Sequence, residues 1–248
     1  MTGDAFRLIL ARLETQSRLI VPDLRGHGQS AHLPGPYTTE ALAADLAPAL
    51  DALGVSSAHI LGHSHGGAVA QVFARRQPER VRSLLLVSSY AVQRATWWQQ
   101  MMGQVIPGAI SCCGTQPMAW VTYRLRTAGG GRRLGAQEAA LAAHMLAAND
   151  QRCLGDALRL SRQFDSRPWL NRLQHPTLVI SGDADCIIVP QQAEVLARGI
   201  RGAHLRMLSG AGHALPLSHP AELAEVISTW LDHVDATRSI PDRHSWVA

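Results

Sequence analysis

A serine set between two histidines and two glycines, Gly62-His63-Ser64-His65-Gly66, follows an apolar run of strand length and opens a helical pattern. This is G-x-S-x-G in the strand-turn-helix context that turns a serine hydroxyl into an exposed nucleophile. So tight a turn holds the serine in strained backbone geometry. It calls for glycine two residues to either side, because a Cβ there would collide with the neighbouring element. The helix N-terminus beneath Ser64 favours developing negative charge, and the backbone N–H of His65 points where an oxyanion would form. A serine is a weak nucleophile until a base takes its proton, so an imidazole and an orienting carboxylate must come from elsewhere in the chain. Twelve histidines compete for the role. One strand-like run ends in Ser181-Gly182-Asp183-Ala184-Asp185, with two carboxylates, and the next in Ser209-Gly210-Ala211-Gly212-His213. In an open sheet with helices, such loops converge at the carboxyl edge of the strands, where Ser64 also lies.

The elements that must position these groups read as parallel βα units, because apolar runs of strand length alternate with helical patterns from Leu19 onward. Strands are expected at residues 18–21, 58–61, 81–87, 177–180 and 203–208, the third of them buried on both faces. Helices are expected at 38–53, 66–77, 191–198 and from Pro220 to about Val234. The first of these has Thr38 or Thr39 as its cap, leucines at 42, 46 and 50, a stop at Gly54 and a kink at Pro48. Residues 236–248 carry no periodicity and read as a loose tail.

Between the two strand-bearing parts, residues 90–172 change texture to mixed Trp, Met, Gly, Pro and Arg with helical patches. This reads as an inserted helical lid, leaving residues 1–89 and 173–235 as the core. Ten arginines face four acids there, a balance of +6. Solvated surface arginine is the first reading, attraction of an anionic substrate the second. Trp97, Trp98, Met101 and Met102 either form the lid's apolar underside against a pocket or simply pack. His63 and His65, flanking Ser64, are expected to line that pocket. His27 and Asp23 read as parts of a structural turn.

Composition removes several function classes. All 23 basic residues are arginine and no lysine occurs in the 248 residues, which excludes a Walker A phosphate loop, a Schiff-base enzyme and a Ser-Lys hydrolase. The arginines are scattered and not interleaved with aromatics, so the net charge of +4 is no nucleic-acid footprint. No apolar run approaches the ~20 residues of a membrane helix, and no leader pattern is present, so the expectation is a cytoplasmic protein with neither membrane nor nucleic-acid partner. Cys112, Cys113, Cys153 and Cys186 lack zinc-site spacing and are expected as thiols.

The chain resembles the α/β-hydrolase superfamily, in its lid-bearing serine hydrolase and esterase branch. Beyond the Ser64 turn, the segments PDLRGHGQS (22–30), PERVRSLLLVSS (78–89), PTLVISGDADCIIVP (176–190) and GAGH (210–213) resemble family segments in the expected order. The resemblance implies an α/β fold with a mostly parallel sheet, flanking helices and an inserted helical lid. It implies Ser64 as nucleophile, His213 as base, Asp185 as acid and the His65 N–H in the oxyanion hole. Asp185 fits the family's G-x-x-D position counted from Gly182, whereas Asp183 fits a turn. Ser88-Ser89-Tyr90 offers no carboxylate at the alternative site for the acid. Family members begin with about three more strands and a His-Gly motif whose N–H completes the oxyanion hole. Residues 3–13 look like the helix after that motif, so the first three family strands are expected to be missing, with residues 2–5 a conceivable substitute donor. The implied activity is hydrolysis of an ester-type bond of a small molecule, with no cofactor and no metal. A lactonase, a C–C bond hydrolase or a thioesterase would share these residues. A non-catalytic ligand-binding relative, or an inactive N-terminally truncated fragment, is the reading from another class.

Overall fold

The computed structural model describes residues 3–14, 17–92 and 163–238. The expected lid residues Trp97, Trp98, Met101 and Met102 lie outside them. Among the described residues, four strands form one sheet: β1 (Ala58–His63), β2 (Val81–Val87), β3 (Thr177–Gly182) and β4 (His204–Leu208). They stand side by side in chain order and every pair is parallel.

The alternation within the strands shows why both faces of the sheet must be covered. In β2, Leu84 and Leu86 join one buried cluster while Leu85 and Val87 join the other; in β3, Val179 faces the first, Leu178 and Ile180 the second. Each fully buried aliphatic side chain contributes about 2 kcal/mol. The first face is covered by α2 (Thr39–Ala44), α3 (Leu46–Ala52), α4 (His65–Arg76) and α5 (Pro190–Gly199). The second is covered by α1 (Arg7–Leu13), α6 (Leu215–Ser218) and α7 (Pro220–Arg238). No helix of the described residues is long and apolar enough to cross a membrane.

Three expectations need correction, and one element was not foreseen. Residues 18–21 join no strand ladder among the described residues: β1 pairs only with β2, so the extended segment has no neighbour to exchange hydrogen bonds with. Leu19 and Ile20 still pack against the two clusters. The expected helix 38–53 is two helices, α2 and α3, broken at Asp45. Pro48 sits one turn downstream, where it offers no N–H to the chain's own ladder and its ring crowds the carbonyl of Ala44. The Thr38 hydroxyl does cap α2, accepting from the Ala41 N–H at 3.1 Å. The last helix runs past Val234 to Arg238, held where Asp235 meets Arg82 at 2.6 Å and His59 at 3.2 Å, so residues 236–238 are not part of a loose tail. The short helix α6 had no periodic signal long enough to find it.

Candidate active site

β1 delivers Ser64 at its C-terminal end, and α4 starts at the next residue. The turn is strained as its sequence requires: Ser64 has φ 54° and ψ −122°, a region that L-residues avoid. Hydrogen bonds overdetermine it. The Ser64 N–H donates to Val87 O at 2.9 Å, while Ser64 O accepts from the Gly67 N–H and the Ser89 hydroxyl, both at 3.0 Å. Ser89 is a supporting residue that sequence reading missed; its signal was only its place two residues past the end of β2.

The glycines around the turn do not share the work as expected. A Cβ on Gly62 would overlap Gly66 O and lie 2.5 Å from Gly66 C and 2.6 Å from Gly67 Cα. A Cβ on Gly66 meets nothing within 4 Å among the described residues. Gly67, by contrast, is crowded, with Ser89 Cβ 2.5 Å from where its Cβ would stand. The steric need for glycine therefore falls on positions 62 and 67.

The loops after β3 and β4 approach closely enough that a side chain on Gly182 would overlap Ala211 O. The Ala184 N–H donates to Ala211 O at 3.1 Å, and Asp183 Oδ1 accepts from the Gly210 N–H at 2.7 Å. Asp183 thus ties the two loops together. Asp185, 2% exposed, reaches His213: its Oδ2 lies 2.9 Å from His213 Nδ1, while Oδ1 accepts from the Ile187 and Ile188 N–H groups at 2.9 Å each. Burial opposes the charge on Asp185. Attraction to His213 and its hydrogen bond, with the two backbone donors, outweighs that and holds the carboxyl below its ordinary value. On the far side of the imidazole, His213 Nε2 stands 3.1 Å from Ser64 Oγ. An ionised Asp185 fixes the proton of the neutral ring on Nδ1, leaving Nε2 to accept from the serine hydroxyl.

His65, the first residue of α4, has a backbone N–H with no acceptor among the described residues, at the end of a twelve-residue helix. Its ring bonds the Tyr90 hydroxyl at 2.9 Å, and burial lowers its pKa to about 4. Tyr90 extends this link inward, because its carbonyl accepts from Gln71, whose side-chain oxygen takes the Ser166 hydroxyl at 2.7 Å. His63 does not open onto a surface: it is 5% exposed, beneath His213, and burial lowers its pKa to about 3. His27 donates to Arg25 O at 3.1 Å within its turn, and burial lowers its pKa to about 4. Asp23 accepts from the Gln29 and Gly3 N–H groups at 2.9 and 2.8 Å, so the Gly3 N–H is already engaged and is no second oxyanion donor. No group of three or more metal-binding side chains occurs among the described residues.

The sequence profile of a family described as alpha/beta hydrolase fold matches residues 2–220. The chain is 29% identical over 245 residues to the 2-hydroxymuconate semialdehyde hydrolase of Pseudomonas sp. strain CF600, covering 93% of this chain and 82% of that one. It is 29% identical over 233 residues to a pimeloyl-acyl-carrier-protein methyl ester esterase of Neisseria meningitidis serogroup C, covering 91% and 88%. Among solved structures, a thermophilic esterase from Thermogutta terrifontis superposes with a TM-score of 0.81 at 27% identity, covering 94% of this chain and 86% of that one.

Proposed function

The chain belongs to the alpha/beta hydrolase fold family and is an enzyme of it, and on that premise we propose that it is a serine hydrolase cleaving an ester-type bond of a small molecule through Ser64, His213 and Asp185. The observation that carries this reading is the unbroken series Asp185 to His213 to Ser64, at 2.9 and 3.1 Å, ending on a strained serine at a helix N-terminus. His213 takes the Ser64 proton as Oγ attacks the carbonyl carbon, and the oxyanion forms against the His65 N–H. His213 then protonates the leaving alcohol as the carbonyl re-forms, giving an acyl-enzyme. Water, deprotonated by the same imidazole, releases the acid. Asp185 keeps the ring in its reactive tautomer and stabilises its transient cation.

The ester class is favoured over lactone, thioester or carbon–carbon cleavage because two of the similar proteins are named as esterases. Residues 90–172, the proposed lid, would choose the substrate within that class. Turnover of p-nitrophenyl acetate that disappears in Ser64→Ala, together with Ser64-dependent labelling by a fluorophosphonate, is the expected result. Equal turnover by parent and Ser64→Ala overturns the proposal.

A further inference from the structure

His213 sits at the end of Ser209-Gly210-Ala211-Gly212, a loop with two glycines and a left-handed Gly210 (φ 67°), and such a segment has little stiffness of its own. Yet its last residue must hold an imidazole within hydrogen-bonding reach of a hydroxyl on a different strand. Asp185 restrains the far end of the ring, but a ring held at one nitrogen can still swing with its backbone. The main chain at His213 has its own restraint. His63 Nε2 lies 2.9 Å from the carbonyl oxygen of His213, and since a carbonyl only accepts, His63 carries its proton on Nε2 and donates.

The partner is telling, because His63 is the last residue of β1 and the immediate neighbour of Ser64. Through this bond the position of the base is referred to the strand that carries the nucleophile, closing a loop that runs from Ser64 through His63 to His213 and back to Ser64 Oγ. The two rings also pack, with centroids 5.1 Å apart and tilted by 46°, and the Phe6 ring stands nearly perpendicular to that of His63 with centroids 6.4 Å apart. His63 Nδ1 has no partner among the described residues, as the neutral tautomer allows.

We propose that His63 is a positioning residue: its Nε2–H anchors the His213 carbonyl to the β1 strand and so sets the distance between base and nucleophile. The inference rests on the serine hydrolase reading above. Burial keeps His63 neutral at about pKa 3, so no second positive charge faces the His213 cation when it forms. His63 touches neither substrate nor the reacting atoms; it acts through His213.

The test compares His63→Phe, which keeps a ring but has no donor, with His63→Gln, whose amide nitrogen reaches about as far as Nε2. A misplacement near 1 Å costs about 10²-fold. For p-nitrophenyl acetate, His63→Phe is expected to lower kcat about 100-fold with KM within twofold, while His63→Gln keeps at least a fifth of the parent kcat. Equal losses in the two variants make His63 a packing residue and overturn the inference, as does His63→Phe at the parent rate. If His63→Phe does not fold, His63→Gln alone decides: a folded protein with under a hundredth of the parent kcat overturns it. Ser64→Ala, assayed alongside, separates the two claims. Activity retained there sinks the serine hydrolase reading, whereas its loss beside an unaffected His63→Phe sinks only the role of His63.

Discussion

The two glycines of the Ser64 turn look equivalent in sequence and are opposite in space, so replacing each by alanine should give opposite results. In Gly62→Ala the new methyl stands 2.5 Å from Gly66 C and 2.6 Å from Gly67 Cα, both backbone atoms of the first turn of α4. Ordinary contact begins at 3.4 Å and Gly66 O is closer still, so the start of α4 must retreat by about 1 Å. Ser64 lies between the strand and that turn, and its Oγ is only 3.1 Å from His213 Nε2. The retreat therefore costs about 1 to 3 kcal/mol of stability as overpacking. Turnover should fall about 10²-fold as the nucleophile leaves its base. In Gly66→Ala the methyl meets nothing within 4 Å among the described residues, and alanine is the better helix former by about 1 kcal/mol. That variant should keep turnover within a few-fold and raise Tm by about 2 to 4 °C. Urea midpoints, p-nitrophenyl acetate kinetics and the fluorophosphonate labelling rate on both variants read the difference. Gly66→Ala as damaging as Gly62→Ala would falsify the steric argument.

Ser88 holds φ 44° with a buried hydroxyl that has no partner among the described residues. Ser88→Gly relieves about 1 to 2 kcal/mol of left-handed strain and a buried polar group, against about 0.4 to 1 kcal/mol of added unfolded-state entropy. A rise of about 1 kcal/mol in unfolding free energy is expected, and a fall contradicts it. His27, His63 and His65 titrate at about 4, 3 and 4 in the folded protein against 6.5 when unfolded, so the unfolded chain binds their protons first as acid is added. Stability is full above pH 6.5 and declines below it, by about 2 kcal/mol per histidine between pH 7 and 5. Asp185 has the same sign in a lower window: its contribution is full above the ordinary value of 3.8 and is lost as pH falls below it, so it adds nothing to the decline between pH 7 and 5. A urea midpoint unchanged between pH 7 and 5 would show that the three imidazoles are not held neutral. Asp185→Asn should cut kcat on the order of 10³- to 10⁴-fold through the wrong imidazole tautomer, while Asp183→Asn, which loosens a loop contact, costs far less. The reverse order would move the acid to Asp183.

Much of this architecture was legible one residue at a time. The continuous apolar run LLLV that ends VRSLLLV places β2 between two cores, because a strand buried on both faces reads as a near-continuous apolar stretch. The Ser64 turn was equally readable, since strand, tight turn and helix are all local. The choice of Asp185 over Asp183 came instead from the family resemblance, at the G-x-x-D position counted from Gly182, and Asp185 is the carboxylate that lies 2.9 Å from His213 Nδ1. Local pattern misled at residues 18–21, which have strand composition but no partner to pair with.

Side-chain type and spacing alone determined which hydroxyl, imidazole and carboxylate to consider, because each of those groups stands at the end of a locally recognisable strand. Tertiary structure decided what surrounds them. Gly66 is open and Gly67 is crowded only because Ser89, 22 residues on, folds back onto the turn. His63 lies beneath His213 although 150 residues separate them. Contacts of that range depend on how the loops after β1, β2, β3 and β4 are brought to one edge of the sheet, and no periodicity along a single segment can encode them.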